Sequence, residues 1–335
     1  MFEDLEDRWY VIADAAQVRA GRPLLLHRFG QRLVLWRDVR GAVVGLPDRC
    51  PHRGVSLSGG RIREGCIECP FHGFCFDGQG QCTHIPAMGS DQRVARRIRT
   101  PSLVLRQAHG WIWQWRGRAR ERYPEIEYFD AVRPTDSMRT TRTIWGTNYV
   151  RVIENQLDVM HPPFVHRRSF GRGLRPDIEP RTEIDGDRIR VYIDDPRPRR
   201  ATDPGAYVEL RAPNAWIITL RRTMGIVAAF VPIDETHTEI YARFHQRVVR
   251  WPGLSWIYNR IMTASNALIL REDQRVVEGS DPPRPTPGVR ELLVPGDQAV
   301  IAYRRLLSGE ARARRKANDR SAERLAAAEP EEPQQ

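Results

Sequence analysis

The feature that most constrains this chain is a pair of short motifs in its first quarter, Cys50-x-His52 and Cys69-x-x-His72. Each motif contributes one cysteine and one histidine, and sixteen residues separate the two motifs. Proline and glycine lie within and beside both motifs, which indicates that the four side chains project from loops. Because thiolates and neutral imidazoles bind metals, the two loops predict a metal site around which the first domain is organised.

Two metal centres fit this set of ligands. A [2Fe–2S] cluster can take two cysteines on one iron and two histidines on the other. Tetrahedral zinc also accepts two cysteines and two histidines, but zinc fingers usually pair like residues within one motif. Each loop here contributes one cysteine and one histidine, which favours the [2Fe–2S] cluster over zinc. Since Cys66 and Cys69 form a C-x-x-C, zinc bound through that pair stays an alternative.

Length and composition fit two globular domains. The chain has 335 residues, of which 41% are hydrophobic. It contains no run of about 18 apolar residues, so we expect no membrane span. The N-terminus is acidic and lacks the hydrophobic segment of a secretion signal. Of the five cysteines, three lie outside the two motifs, and this odd number indicates no disulfide framework. We therefore expect a protein of the reducing cytoplasm.

The net charge of +11 does not by itself predict a nucleic-acid partner. All but one of the 53 basic residues are arginine, the exception being Lys316. These arginines are scattered along the chain and do not form one stripe with interleaved aromatic residues. We therefore expect no binding to nucleic acid, since a basic surface equally suits an acidic redox partner.

Hydrophobic alternation and turn signals divide the chain into three parts. Residues 1–118 are predicted to form a β-rich domain that carries the two motifs, and residues 119–307 a mixed α and β domain. Residues 308–335, rich in alanine, arginine and glutamate, are predicted to be a partly disordered tail.

Strand and helix patterns fill the two predicted domains. In the first domain, strand patterns lie at 9–13, 24–28, 31–37, 42–46, 103–106 and 110–115. The first four are predicted to form a β-meander. In the second domain, strand patterns lie at 141–145, 188–193, 206–211, 215–220, 226–231 and 238–248. A long helical pattern then runs from about residue 255 to 277, with Gly279 placed to cap it.

A second stretch with metal-binding chemistry begins at Asn155. Asn155, Asp158 and His161 are spaced three residues apart, so a helix would place them on one side. Prolines directly after His161 are expected to end that helix, which lets His166 return to the same point. Two converging imidazoles begin a two-histidine, one-carboxylate site for non-haem Fe(II). The alternative is a surface helix end at which Asp158 pairs with His161.

The third ligand of such a site is a carboxylate from another part of the chain. Asp273 is the leading candidate, because apolar residues stand three and four positions before and after it on the long helix. A buried carboxylate is costly unless it is paired or metal-bound. Glu272 is the second candidate and is expected on the exposed side, and an unrelated helical acid is the alternative to both.

Taken together, the motifs resemble one protein family. The order C-x-H, C-x-x-H, then N-x-x-D-x-x-H-x-x-x-x-H, then E-D-x-x-x-x-E is similar to the oxygenase (α) component of Rieske non-haem iron oxygenases, over nearly the whole chain. The chain most resembles the α-only branch, which includes vanillate and dicamba O-demethylases and pheophorbide oxygenase-type enzymes. The resemblance implies an α+β fold, with an N-terminal all-β Rieske [2Fe–2S] domain followed by a helix-grip catalytic domain, in which an antiparallel sheet wraps around a long helix.

The resemblance also implies roles for individual residues. Those expected to hold the cluster are Cys50, His52, Cys69 and His72, and those expected to hold mononuclear Fe(II) are His161, His166 and Asp273. Asp158 would hydrogen-bond the cluster ligand His72 across a subunit boundary in a homotrimer, and Asn155 would lie near the iron. Cys75 has no implied ligand role and is expected to pack.

The implied activity is that of a terminal oxygenase. It would use O₂ and electrons from a separate ferredoxin or flavin reductase, since no flavin or nicotinamide motif is visible in this chain. The substrate would be an aromatic or other apolar small molecule, which is hydroxylated, dihydroxylated, demethylated or desaturated. Two alternatives stay open, a Rieske electron carrier with a ligand-binding second domain and a zinc-stabilised binding module.

Overall fold

The first third of the chain is built from short β-strands. The structure is a computed structural model that describes residues 5–89, 93, 95–193, 205–285 and 291–309. The first ten strands are β1 (Arg8–Asp14), β2 (Leu24–Arg28), β3 (Gln31–Arg37), β4 (Val43–Pro47), β5 (Arg61–Arg63), β6 (Cys66–Glu68), β7 (Cys75–Phe76), β8 (Cys82–His84), β9 (Leu105–Ala108) and β10 (Trp111–Arg116). These strands confirm the predicted all-β N-terminal part.

Three small antiparallel sheets share these strands. Their orders are β1-β10-β9, β2-β3-β4 and β5-β6-β7-β8. The predicted meander is therefore correct for β2 to β4 and wrong for β1, which pairs with β10 about a hundred residues later. In this register Trp9 lies opposite Trp115, and their rings meet edge to face at 5.5 Å. Burial of these large rings favours the distant partner strand over the neighbouring one.

The second part of the chain forms one large sheet and helices. Its strands are β11 (Ser137–Trp145), β12 (Arg181–Asp185), β13 (Arg188–Tyr192), β14 (Tyr207–Arg211), β15 (Ala215–Arg221), β16 (Met224–Pro232) and β17 (Thr238–Gln246). Its helices are α1 (Tyr149–Leu157), α2 (Pro162–Val165), α3 (Pro252–Val277) and α4, residues 298–309. All six predicted strands are present, and β12 was not predicted.

The large sheet is antiparallel and packs on both faces. Its order is β11-β17-β16-β15-β14-β13-β12. One face forms a core with α1 and α3 that includes Trp145, Ile153 and Phe230. The other face packs Ile217 and Tyr241 against the tryptophan-rich strands of the N-terminal part. The long helix on an antiparallel sheet confirms the predicted helix-grip architecture.

Helix α3 buries a face that is largely polar. The residues buried on it are Ser255, Asn259, Asn266, Leu270, Asp273 and Val277, which recur at helical spacing. Several apolar side chains lie on its outer surface instead, namely Leu254, Ile257, Ile261, Leu268 and Val276. The burial predicted for Asp273 is therefore confirmed, but its apolar setting is provided by Leu270 and Val277 and not by Val276, which is 55% exposed. The Gly279 amide donates to the Val276 carbonyl just beyond the helix end.

The C-terminal part of the described chain is helical. Helix α4 buries Ala299, Val300 and Tyr303 against the protein interior. The predicted tail begins within this helix at residue 308, and residues 310–335 lie outside the described residues. Among the residues that the structure describes, no helix is both long enough and apolar enough to cross a bilayer.

A buried ion pair joins the N-terminal part to the large sheet. The Arg28 guanidinium on β2 lies 2.5 Å from Glu239 Oε2 on β17, and the two side chains are 3% and 6% exposed. Arg28 also donates to the Tyr241 hydroxyl at 2.9 Å. Removing one partner of a buried pair leaves the other charge without compensation, which usually costs about 3–5 kcal/mol.

We therefore expect Glu239→Ala to lower the free energy of unfolding by about 3–5 kcal/mol. Thermal and urea unfolding followed by circular dichroism measure this change. Glu127→Ala is the matched control, because Glu127 is 85% exposed in its contact with Arg211 and should cost less than about 1 kcal/mol. Equal stability losses in the two variants would contradict the role given to the buried pair.

Candidate metal centres

The two cysteine–histidine motifs form two loops of the same shape. The first loop follows β4 and the second connects β6 to β7. The Gly54 amide donates to the Cys50 carbonyl at 2.8 Å, and the Gly73 amide donates to the Cys69 carbonyl at 3.0 Å. Both glycines have positive φ angles, +76° and +71°, a conformation that side-chain-bearing residues rarely adopt. The repeated turn presents both cysteines inward, where they are 2% and 3% exposed.

The two histidines of these loops lie on the surface side of the cysteines. His52 and His72 are both exposed, and their ring centroids are 4.9 Å apart. The His52 ring stacks on the buried Phe74 ring at 4.7 Å, which fixes its plane. The two imidazoles therefore form a pair at the protein surface, outside the buried pair of cysteines.

This arrangement fits two irons better than one zinc ion. The Cys50 and Cys69 thiols contact each other, and the His52 and His72 rings form a separate pair with centroids 4.9 Å apart. Burial raises the pKa of the Cys50 thiol, and the adjacent Cys69 thiol raises it further. In a Rieske cluster, two cysteines bind one iron and two histidines bind the other. The pairing of the four side chains in this structure matches that ligand arrangement.

The other three cysteines have the character of packing residues. Burial raises the pKa of Cys75 and of Cys82 to about 11, so both are neutral thiols at physiological pH. Cys66 lies on β6, where the Thr83 hydroxyl contacts its sulfur at 3.8 Å. All five cysteines are free in the structure.

The second candidate centre lies where α1 and α2 meet. Helix α1 ends at Leu157, so the expected continuous helix from Asn155 to His161 is wrong. Asp158 caps that helix, and His161 and His166 flank the four-residue helix α2. The two prolines after His161 begin α2 and do not end α1, because proline is well tolerated in a first helical turn, where its missing N–H is not needed.

His161, His166 and Asp273 bring three ligand atoms together within 4.8 Å. Asp273 Oδ1 lies 3.3 Å from His161 Nε2 and 3.2 Å from His166 Nε2. Asp273 is 3% exposed, and none of the contacts of Oδ1 within the described residues has hydrogen-bond geometry. A buried carboxylate oxygen without a hydrogen bond is costly, and a cation held by all three atoms would satisfy it.

The electrostatics of this group favour a positive charge. Burial lowers the pKa of His161, but contacts with the Asp158 and Asp273 carboxylates outweigh burial and raise it to about 9. Burial opposes ionisation of Asp273, yet the two histidines hold its pKa below the usual value. Two nitrogens and one carboxylate oxygen are also the donor set of mononuclear non-haem iron sites, so these residues fit that ion.

Glu272 contacts the far side of the His166 ring. Its Oε2 lies 2.8 Å from His166 Nδ1 and accepts from the Ser169 hydroxyl at 2.6 Å. The side chain is only 15% exposed, so the prediction that Glu272 lies on the exposed side is wrong. Ser169 was missed by sequence reasoning, because a serine three residues after His166 carries no metal-binding signal.

Asn155 reaches this centre through a second residue that sequence reasoning missed. The Gln156 amide nitrogen donates to Asn155 Oδ1 at 2.8 Å and to Asp273 Oδ2 at 3.4 Å. The Trp216 indole in turn donates to the Gln156 carbonyl at 3.0 Å. Gln156 therefore connects Asn155 to the carboxylate, and its place beside Asn155 in the motif was the only available signal.

Asp158 lies beside His161 on the side away from Asp273. Its Oδ1 accepts from the Met160 amide at 2.7 Å, and its Oδ2 lies 3.6 Å from His161 Nδ1, too far for a hydrogen bond. The Asp158 side chain is 28% exposed. A carboxylate in this position can accept a further hydrogen bond from outside, and its link to His72 of another subunit stays a prediction.

Comparison with known proteins assigns both parts of the chain. Residues 8–103 match the Rieske [2Fe-2S] domain family, and residues 145–313 match the vanillate O-demethylase oxygenase C-terminal domain family. Aminopyrrolnitrin oxygenase PrnD of Pseudomonas fluorescens is 33% identical over 169 residues, which are 47% of this chain and 45% of that protein. Chlorophyllide a oxygenase of Chlamydomonas reinhardtii is 31% identical over 174 residues, 51% of this chain and 26% of that protein. The matches thus span less than half of these curated relatives.

Solved structures share the fold over almost the whole chain. The protein NdmA of Pseudomonas putida CBB5, solved with caffeine, superposes with a TM-score of 0.73 at 22% identity and covers 90% of this chain and 89% of its own. Dicamba monooxygenase bound to dicamba gives a TM-score of 0.73 at 22% identity, and the match covers 93% of this chain and 98% of that chain. The chain belongs to the Rieske oxygenase family, with a Rieske [2Fe–2S] domain followed by an oxygenase domain of the vanillate O-demethylase type.

Proposed function

We propose that this protein is a terminal oxygenase that uses O₂ and electrons from a separate reductase to hydroxylate or oxidatively demethylate a small molecule. The observation that carries the proposal is the buried convergence of His161, His166 and Asp273 in the domain that follows the Rieske domain. An electron carrier needs only the first of these two sites. A second, three-ligand site is the arrangement that oxygen chemistry requires.

The proposal includes the ligands of the two metal centres. Cys50 and Cys69 would bind one iron of the cluster, and His52 and His72 the other. The ligands of the mononuclear iron would be His161, His166 and Asp273. When bound, the cluster supplies electrons one at a time, and an iron with three protein ligands keeps coordination positions open for O₂. The sequence-based division into a cluster domain (residues 1–118), a catalytic domain (119–307) and a tail (308–335) stays part of the proposal.

Asp158 is proposed to connect the two centres between subunits. Its Oδ2 lies on the Nδ1 side of His161, and its partial exposure allows an imidazole N–H from outside to donate to it. In the proposed homotrimer that donor is His72 of the neighbouring subunit. The exposed position of His72 on the outside of its loop supports this contact.

The substrate is proposed to be an aromatic or other apolar small molecule. Structural relatives were solved with caffeine and with dicamba, and a 28% identical relative from Comamonas testosteroni is described as a 3-chlorobenzoate-3,4-dioxygenase oxygenase subunit. On the sheet face shared with α1, the rings of Trp216 and Phe230 belong to the buried core, and the Trp216 indole donates to the Gln156 carbonyl beside the centre. Aromatic and aliphatic surroundings of this kind suit an apolar ligand.

The electron donor is proposed to be an acidic ferredoxin or flavin reductase. The net charge of +11 favours association with a protein of opposite charge. We propose that the pair works in the cytoplasm, where the three thiols outside the cluster, Cys66, Cys75 and Cys82, are kept reduced. No nucleic-acid partner is part of the proposal.

Binding of nitric oxide to the ferrous enzyme tests the proposal. Nitric oxide occupies open positions on mononuclear Fe(II) in place of O₂ and gives an S = 3/2 EPR signal. We expect that signal from the full-length, anaerobically purified protein, in addition to the signal of the reduced cluster. A protein that shows the cluster signal alone, even after Fe(II) is added back, is an electron carrier, and the proposed oxygenase function is then wrong.

A further inference from the structure

Consecutive residues on α3 approach opposite edges of the His166 ring. Asp273 Oδ1 lies 3.2 Å from His166 Nε2, and Glu272 Oε2 lies 2.8 Å from His166 Nδ1. The His166 side chain is 2% exposed, so both contacts are shielded from water. A carboxylate only accepts hydrogen bonds, so Nδ1 carries a proton in its contact with Glu272. Nε2, at the edge that faces Asp273, is then the ring nitrogen available to bind a cation.

Ser169 holds Glu272 in this position. The Ser169 hydroxyl donates to Glu272 Oε2 at 2.6 Å, and the Ser169 amide donates to the His166 carbonyl at 2.9 Å. One carboxylate oxygen of Glu272 therefore receives hydrogen bonds from both His166 and Ser169. Residues that follow α2 are in this way tied to α3, the helix that also carries Asp273.

The other histidine of the site has no equivalent contact. His161 Nδ1 is buried without a hydrogen-bond partner among the described residues, and Asp158 lies 3.6 Å away. Of the two site histidines, His166 is therefore the one whose ring is held by a carboxylate at Nδ1 within the described part of the chain.

We propose that Glu272 is a positioning residue that holds His166 in the tautomer and orientation needed to bind the mononuclear iron, with Ser169 supporting it. This inference rests on the proposed iron site. Glu272 is not itself the carboxylate ligand, because its hydrogen-bonded oxygen lies at the Nδ1 edge of His166, away from the point where Asp273 meets both Nε2 atoms. Hydrogen bonds of this kind to a ligand histidine typically change metal affinity by about 10–100-fold.

Titration of the full-length protein with Co(II) tests the inference. Mononuclear iron is first removed while the cluster is retained, and the visible absorption of bound Co(II) reports both affinity and ligand geometry. We expect Glu272→Ala to weaken Co(II) binding by about 10–100-fold. Glu272→Gln should restore most of the affinity, since its amide oxygen still accepts from Nδ1, and Ser169→Ala should give a smaller loss than Glu272→Ala.

Glu278→Ala is the matched control on the same helix. Glu278 accepts from the Gly146 amide at 2.6 Å, so its removal disturbs α3 without touching His166. Unchanged Co(II) affinity and spectrum are expected for this variant. If Glu272→Ala does not fold, the comparison of Glu272→Gln and Ser169→Ala with Glu278→Ala gives the same discrimination.

Two results would overturn the inference. Co(II) affinity in Glu272→Ala equal to that of the unaltered protein would show that Glu272 does not position His166. Loss of the bound metal in Glu272→Ala together with its retention in Asp273→Ala would make Glu272 the ligand. Failure of the unaltered protein to bind Co(II) at all would instead contradict the proposed iron site.

Discussion

Asp273→Ala is expected to remove one iron per chain, from about three to about two, while acid-labile sulfide stays at about two. Asp273 Oδ1 contacts the Nε2 atoms of both His161 and His166, so its loss takes away the atom at which the three ligands meet. Mutation of residues that hydrogen-bond to metal ligands typically lowers metal affinity by about 10–100-fold. Removal of a ligand itself should therefore lower the iron affinity by more. Oxygenation should fall by at least about a hundredfold.

Iron and sulfide analysis of the purified variant measures this effect, and EPR of the reduced cluster shows that the Rieske domain is intact. Glu278→Ala serves as the control here too, because it changes another carboxylate at the end of α3. About three irons in the Asp273→Ala protein would show that another carboxylate completes the site.

Asp158→Ala is expected to leave both metal centres in place and to stop turnover. Asp158 lies 3.6 Å from His161 Nδ1 and contributes no atom to the three-ligand group. If Asp158 connects the two centres between subunits as proposed, its removal should break that connection, and product formation with reductase should fall by roughly a hundredfold or more.

Stopped-flow absorption separates the steps that this variant affects. Reduction of the cluster by a chemical reductant should be unchanged in Asp158→Ala, and its reoxidation in the presence of O₂ and substrate should be slow. Iron and sulfide contents of the same preparation provide the control for metal loss. Normal turnover with reductase in a variant that retains both metals would show that Asp158 is not the connection.

Local signals were sufficient for the cluster loops and for most strands. Cys50, His52, Cys69 and His72 lie in two loops whose turns depend on nearby glycines, so spacing alone predicted their grouping. Strands such as β3 and β16 were predicted because alternation of apolar residues is a local pattern. The pairing of β1 with β10 was not predicted, because it depends on burial of Trp9 and Trp115 against each other across the whole domain.

The second site was only partly predictable for physical reasons. Histidines and a carboxylate at suggestive spacing were visible, but the prolines after His161 begin a helix in place of ending one. The environment of Glu272 was predicted wrongly, because it depends on a hydrogen bond from Ser169, about a hundred residues earlier in the chain. The outer surface of α3 is partly apolar, so hydrophobic neighbours were a poor guide to which acid is buried.

Iron, zinc and acid-labile sulfide analysis of anaerobically purified protein, with EPR of the reduced form, tests both metal centres most directly. We expect about three irons and about two sulfides per chain, no zinc, and the EPR signal of a histidine-ligated cluster. Two irons with the same signal, unchanged after Fe(II) is added back, would contradict the mononuclear site. Zinc without sulfide would contradict both metal centres.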